Sequence, residues 1–320
     1  MRSAWSLGYG FVARRAAGHA VVLIGLGILA PFLLQYAIAG DAGAMISAAA
    51  PVDWEALASS RQLMAALTIG YVLQIGSYFA SWRLGLGDGR PLARALPYGL
   101  AAGLLAVAVV ALVATPAISF AARLWTPENV LLGALIALIP LSAVAALFYT
   151  TMAALGAALV ALLLIAAMAF GTATGQVGMA ATLLGGRGDL VVLVLVMCGV
   201  LLWLAARLSC TAALMAERGS FNLFAAARDS WRLTWEEQWA ILRYLALVGF
   251  ALAVMVLGAA IAVGAGATAL VEDTGAPTLQ TGVVVARLAV AVPLAFLSVL
   301  VPAGIYRELT RAEVSADIFA

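Results

Sequence analysis

The stretch Glu217–Tyr244, ERGSFNLFAAARDSWRLTWEEQWAILRY, concentrates the side chains of this chain that are suited to engage a charged ligand at a surface. On a helix turning about 100° per residue, Phe221, Phe224, Trp231, Trp235, Trp239 and Leu242 fall within an arc of about 80°. Arg228 lies inside that arc and Arg232 and Arg243 border it, whereas Asp229, Glu236 and Glu237 point elsewhere. Indole prefers the boundary between hydrocarbon and water, and a guanidinium reaches lipid phosphates or an acidic partner from the same depth. Phe221, Phe224, Arg228, Trp231, Arg232, Trp235 and Trp239 are therefore the candidate membrane-interface and partner-binding residues. They are expected on an amphipathic helix over about 220–239, after a break at Gly219-Ser220 and with Ser220 as N-cap. Trp5, Tyr9, Arg14 and Arg15 form a weaker version of the same pattern.

Other chemistry would have to sit inside apolar runs. Gln74 and Ser77 lie in one run, and Pro140 and Pro293 in two others. A proline removes a helical donor and frees a carbonyl, so these four form a candidate intramembrane polar site for a solute at mid-depth. The same residue types also bond and shape neighbouring helices without any ligand. Gln35, Tyr36, Tyr78, Ser142 and Arg287 are further polar groups in such runs, and Arg287 is near enough to the start of its run to reach the surface. No Asp or Glu stands mid-run, which argues against proton-coupled pumping.

For catalysis the inventory is thin. His19 is the single histidine and is expected at the interface beside Arg14 and Arg15. Zinc-ligand spacing, a phosphate loop, a nucleophile elbow and a paired carboxylate with a partner base are all missing from the sequence. Gly85-Leu86-Gly87-Asp88-Gly89 reads as a tight loop. No enzyme activity, metal or cofactor is expected. Cys198 and Cys210 fall on one expected helix, separated by about 18 Å of rise, and read as inert buried thiols.

The elements that must position these residues follow from composition. Hydrophobic types make up 65% of the 320 residues and charged types 10%, with a mean hydropathy of +1.10. So few charges cannot cover a soluble surface, so lipid must be the solvent. The apolar runs do not alternate as barrel strands do, and in hydrocarbon a continuous run satisfies its own backbone only as a helix. The net charge of +2 is too small to point to nucleic acid. At about 20 residues per crossing, the runs are 19–39, 63–82, 96–118, 129–150, 152–172, 190–210, 240–266 and 282–303. The uncharged stretch from Asn129 to Gly186 is divided at Tyr149-Thr150-Thr151. Ala37-Ile38-Ala39 resembles a signal-peptide cleavage site, but the run before it is longer than the 7–15 apolar residues of such signals, so it is expected to stay as the first span.

The expected architecture is thus an all-α, polytopic transmembrane bundle of eight spans in a single integral membrane domain over 1–320. With both termini cytoplasmic, thirteen of the 17 basic residues, all of them Arg, lie on the cytoplasmic side, following the positive-inside tendency. A single crossing through 129–172 would place the Arg-rich 207–243 segment outside. Pro140-Leu141 aligned with Pro293-Leu294 points to a parallel four-plus-four repeat, 1–150 and 151–320. The absence of Lys together with heavy Ala and Gly usage points to a GC-rich bacterial genome, and so to a bacterial cytoplasmic (inner) membrane.

Gly219, then Phe224-x-x-Ala227-x-x-Ser230-Trp231-Arg232-Leu233-Thr234, then Trp239-x-x-Leu242 leading into a span, resembles a motif of the membrane domain associated with bacterial glycerophosphodiester phosphodiesterases and related polytopic bacterial membrane proteins. The resemblance covers about 25 residues, and Asp229, Glu236 and Glu237 depart from its more basic pattern. It implies a membrane architecture and not the hydrolase, whose soluble barrel has no room among the spans. The expected partners are membrane lipids, another membrane protein, or a second copy of the chain. The leading functional expectation is a scaffold, accessory subunit or lipid-interacting component, with a transporter or permease as the alternative.

Overall fold

The computed structural model describes residues 3–39, 61–86, 91–123, 148, 151, 154–159, 188–273 and 276–319. Its regular elements, among the described residues, are all helical. They are α1 (Ala4–Ala13), then α2 (Ala16–Ala20), which passes through a π-helical stretch (Val21–Leu29) into α3 (Ala30–Ala39), then α4 (Arg61–Leu86) and α5 (Leu92–Arg123). After these come α6 (Gly188–Leu208), α7 (Thr211–Arg218), α8 (Leu223–Leu233), α9 (Gln238–Asp273) and α10 (Ala276–Phe319).

Among the described residues, six stretches are long and apolar enough to cross a membrane: Ala16–Leu34, Met64–Leu86, Leu92–Ala117, Leu195–Arg218, Gln238–Gly258 and Leu288–Arg311. They correspond to six of the eight expected runs. The runs 129–150 and 152–172, with Pro140, lie outside the described residues apart from isolated helical positions. Large apolar side chains such as Leu104, Leu112, Leu247 and Phe250 point outwards from these helices. Exposed rows of that kind are stable only against hydrocarbon or a covering partner.

The chain divides into two compact units, each drawing on both sequence halves. The larger comprises 2–108, 212–223 and 254–320. In it α1 packs along α10, where Gly8 meets Leu300 and Gly304 meets the Ala4 carbonyl. The π-helical stretch and α3 pack on α4, with Gly27 against Ser77. Helices α4 and α5 cross at Gly76, Gly99 and Gly103; a β-carbon on Gly76 would stand 3.0 Å from the Gly99 carbonyl oxygen. Trp82 is buried and its indole N–H donates to the Val299 carbonyl at 3.0 Å. That acceptor is next to the Ser298 carbonyl, which Pro302 deprives of its helical donor.

Arginines in this unit complete helix ends. Arg15 donates to the Leu84 carbonyl at 3.0 Å and Arg307 to Gly85 at 3.2 Å, both at the C-terminus of α4. Arg83 donates to the Ala216 and Glu217 carbonyls at 2.6 and 2.8 Å, at the C-terminus of α7. The last carbonyls of a helix lack internal donors, and a cation suits that end of the dipole. Gly219 then adopts φ 65° and the Ser220 N–H donates back to Met215 at 3.2 Å, a Schellman ending that stops α7 where the sequence places the break.

The smaller unit comprises 109–211 and 224–253. It holds all of α6, most of α8 and α9 as far as Ala253; the end of α6 meets α8, and Gly249 lies against the Ala154 backbone.

Candidate functional site

Helix α8 is amphipathic with its small residues inward. Ala226, Ser230 and Thr234 recur every four residues and are buried, whereas Phe224, Arg228 and Arg232 are exposed. The hydroxyls tie α8 to the end of α6: Ser230 and Thr234 donate to the Arg207 carbonyl at 2.9 and 3.2 Å. Ser230 Oγ also accepts the Cys210 N–H at 3.2 Å. Two orphan backbone groups at the end of α6 are satisfied in this way, and α8 is registered against α6.

That register stacks a guanidinium against indoles. The Arg207 guanidinium carbon lies 4.4 Å from the Trp231 ring centroid and 4.5 Å from that of Trp235. Trp203, one turn before Arg207 on α6, meets Trp231 edge-on at 5.2 Å. Arg207 is 0% exposed, and Nε, Nη1 and Nη2 have no hydrogen-bond partner among the described residues. The indole of Trp235 is 59% exposed, so the guanidinium is covered on that side by a ring that itself faces outwards. Cation–π contact stabilises the charge but leaves the in-plane donors unmet.

The expected continuous helix over 220–239 is interrupted. Helix α8 ends at Leu233, a turn occupies Thr234–Glu237, and α9 begins at Gln238. The Thr234 hydroxyl bonds the Ser230 carbonyl at 2.9 Å as well as Arg207, which competes with continued helix. Glu236 and Glu237 then stand just ahead of α9, where negative charge suits a helix N-terminus. Ser220 is not the N-cap: its hydroxyl accepts the Asn222 N–H at 3.1 Å, ahead of the helix start.

The candidate interface residues are accordingly distributed. Trp231 and Trp235 converge on Arg207, while Phe224, Arg228, Arg232 and Trp239 are exposed around them in the smaller unit. Arg228 makes a long ion pair with Asp229, 3.9 Å. Phe221 belongs to the larger unit and stacks on Tyr98 at 5.1 Å. Trp5 and Tyr9 are exposed on α1. Sequence reasoning missed Arg207, Trp203, Ser230 and Thr234 as one group. The available signal was Trp203 one turn ahead of Arg207 at the end of an apolar run.

Of the intramembrane candidates, Gln74, Ser77 and Pro293 are among the described residues and Pro140 is outside them. Gln74 donates to the Tyr78 hydroxyl at 3.4 Å, Tyr78 also hydrogen-bonds Ser298, and Ser298 donates to Leu294 at 2.7 Å. Ser77 is buried, donates to its own helix at Gln74 and packs on Gly27. Pro293 is half-buried within α10. His19, expected at an interface, is instead buried, with Nδ1 hydrogen-bonded to Ser81 Oγ at 2.5 Å and the ring beside Phe11. Cys210 falls in the turn after α6 and so is not on one helix with Cys198; both are free thiols, and only Cys210 is fully buried. Among the described residues no three His, Cys, Asp or Glu side chains gather closely enough to hold a metal ion.

These features define a class: a helical protein with, among the described residues, six helices of membrane-crossing length and apolarity, one of which carries an aromatic–arginine cluster at the junction of α6 and α7. No protein-family model, curated protein or solved structure matches the chain.

Proposed function

We propose that this protein is a non-enzymatic integral protein of the bacterial cytoplasmic membrane, acting as a scaffold or accessory component that holds lipid at its cytoplasmic face. In this reading it has eight spans in two parallel halves and both termini in the cytoplasm. The observation that carries the reading is the placement of Arg207, Trp203, Trp231 and Trp235 at the end of an apolar helix, with Phe224, Arg228, Arg232 and Trp239 exposed around them. Indoles and arginines at such a depth engage headgroups or a partner's interfacial surface. By contrast, Gln74, Tyr78 and Ser298 within the spans bond one another, and Ser77 bonds its own helix at Gln74. The resemblance of 219–242 to the membrane domain associated with glycerophosphodiester phosphodiesterases is in keeping with an accessory role.

Transport is the second reading, favoured by Pro293 and Pro302 inside α10. Purified protein in liposomes, screened for solute uptake, with co-purification from native membranes in parallel, separates the two. A stoichiometric partner without uptake is the expected result. Saturable uptake lost in Gln74→Ala or Pro293→Ala, with the protein still folded, would sink the scaffold reading. Topology is checked in a background lacking Cys198 and Cys210. Cysteines at Ala48 and Gly275 should react with an impermeant thiol reagent from outside, and one at Gly87 only after the membrane is opened. Labelling of Gly87 with silence at Gly275 overturns the eight-span arrangement.

A further inference from the structure

Of the buried charged groups, Arg207 stands out. Its guanidinium is fully buried and its three nitrogens have no hydrogen-bond partner among the described residues. Its neighbours at the stacking faces are indoles, which accept no in-plane hydrogen bond. A buried guanidinium with every donor unmet is strongly unfavourable unless an anion completes it. The nearby carboxylates have other places: Asp229 is drawn to Arg228, and Glu236 and Glu237 are exposed in and beside the turn that carries Trp235.

We propose that Arg207 is an anion-binding residue that takes a phosphate group, from a phospholipid headgroup or as free phosphate, when the exposed indole of Trp235 moves off it. Phosphate is the anion that matches a guanidinium fork, two parallel N–H donors to two oxygens. Arg207 is the penultimate residue of the 21-residue helix α6, beside the Ser209-Cys210 turn that breaks the apolar stretch Leu195–Arg218, and it stands near the end of the expected apolar run 190–210. Trp235 is the movable element: it sits in the Thr234–Glu237 turn, not within a helix, and most of its ring faces outwards. Trp231 is the fixed one, held on α8 by the Ser230 and Thr234 hydroxyls and edge-on to Trp203. Arg228 and Arg232, exposed on the same helix, add positive potential that raises the local concentration of anions.

The assignment rests on the interfacial reading of the connector, and the test keeps the two separable. The full chain in a phosphate-free sugar detergent is titrated with inorganic phosphate and, separately, with short-chain phosphatidylglycerol, following tryptophan fluorescence. Saturable binding weakened about tenfold or more in Arg207→Gln, and nearly as much in Arg207→Lys, is expected from the loss of a charge-assisted forked contact. Trp235→Phe should retain binding but lose most of the fluorescence change. Phosphatidylglycerol binding without phosphate binding assigns a headgroup site, and binding of both assigns a phosphate site. If Arg207→Gln does not fold, Arg207→Lys decides, since it keeps the charge without the fork. Equal affinity in folded Arg207→Lys and wild type, or no binding of either probe to wild type, overturns the proposal. The interfacial reading has its own measurement, quenching by lipids brominated at graded depths, taken as the difference between wild type and Trp235→Phe. Headgroup-level quenching with unchanged affinity in Arg207→Lys overturns the phosphate site alone, whereas no quenching at any depth overturns the placement on which it rests.

Discussion

Replacing Gly103 by Ala tests a close helix crossing in the larger unit. A β-carbon there would overlap the Val72 carbonyl oxygen and stand 2.9 Å from the Gly76 nitrogen and 3.1 Å from its Cα. All three are backbone atoms, so no side chain can swing aside and α4 must separate from α5. Adding a methyl to a packed contact costs about 1–3 kcal/mol. Against this, Ala is favoured over Gly within a helix by about 0.8–1.0 kcal/mol. Gly199 in α6 and Gly258 in α9 provide the matched control, because a β-carbon at either meets nothing within 4 Å. There the propensity gain should act alone. Gly103→Ala should therefore fall below Gly199→Ala by about 1–3 kcal/mol, the packing cost alone, because the propensity gain is common to both. Equilibrium unfolding of the detergent-solubilised protein by sodium dodecyl sulfate, followed by helical circular dichroism, gives the comparison. A Gly103→Ala variant within about 0.5 kcal/mol of Gly199→Ala, inside the scatter of ordinary surface substitutions, would refute the close crossing.

Three further outcomes are expected in the same unfolding assay. Gly219→Ala should destabilise by about 1–2 kcal/mol, because φ 65° is left-handed backbone and the new methyl meets the Arg83 guanidinium. Trp82→Phe should lose about 0.6–2 kcal/mol, leaving the Val299 carbonyl without its indole donor. Ser230→Ala combined with Thr234→Ala should lose about 1–3 kcal/mol through two bonds to one carbonyl. The last variant should also shift tryptophan emission as Trp231 loosens over Arg207, and unchanged emission would show that the hydroxyls do not register α8 on α6.

The helical, lipid-solvated character of this chain was legible from composition and run length because it is a local property. Hydrocarbon forbids unpaired backbone, so a continuous apolar run has only one conformation open to it wherever its neighbours lie. The stop at Gly219 was legible for the same reason: a left-handed residue depends on its own backbone, and glycine adopts it freely. The stripe of Trp231, Trp235 and Trp239 was visible from periodicity, but its continuation as one helix was not settled by periodicity. Thr234 ends α8 by bonding the Arg207 carbonyl, a partner 27 residues away.

Tertiary structure alone decided which residues meet. Gly99-x-x-x-Gly103 and Gly171-x-x-x-Gly175 are equivalent as strings, and the first acquires meaning only from Gly76 on the facing helix; the second lies outside the described residues. His19 next to Arg14 and Arg15 reads as interfacial, yet packing carries it onto Ser81 and Phe11, which local charge cannot foretell. Arg207 at the end of an apolar run looks like any snorkelling arginine in sequence. Its burial between Trp231 and Trp235 requires α8 to fold back along α6, and that return is set by hydroxyls of a connector whose sequence shows only small polar residues. Hydropathy is summed along the chain and survives without knowledge of the fold, whereas a hydrogen bond or ring contact depends on where two distant segments come to rest.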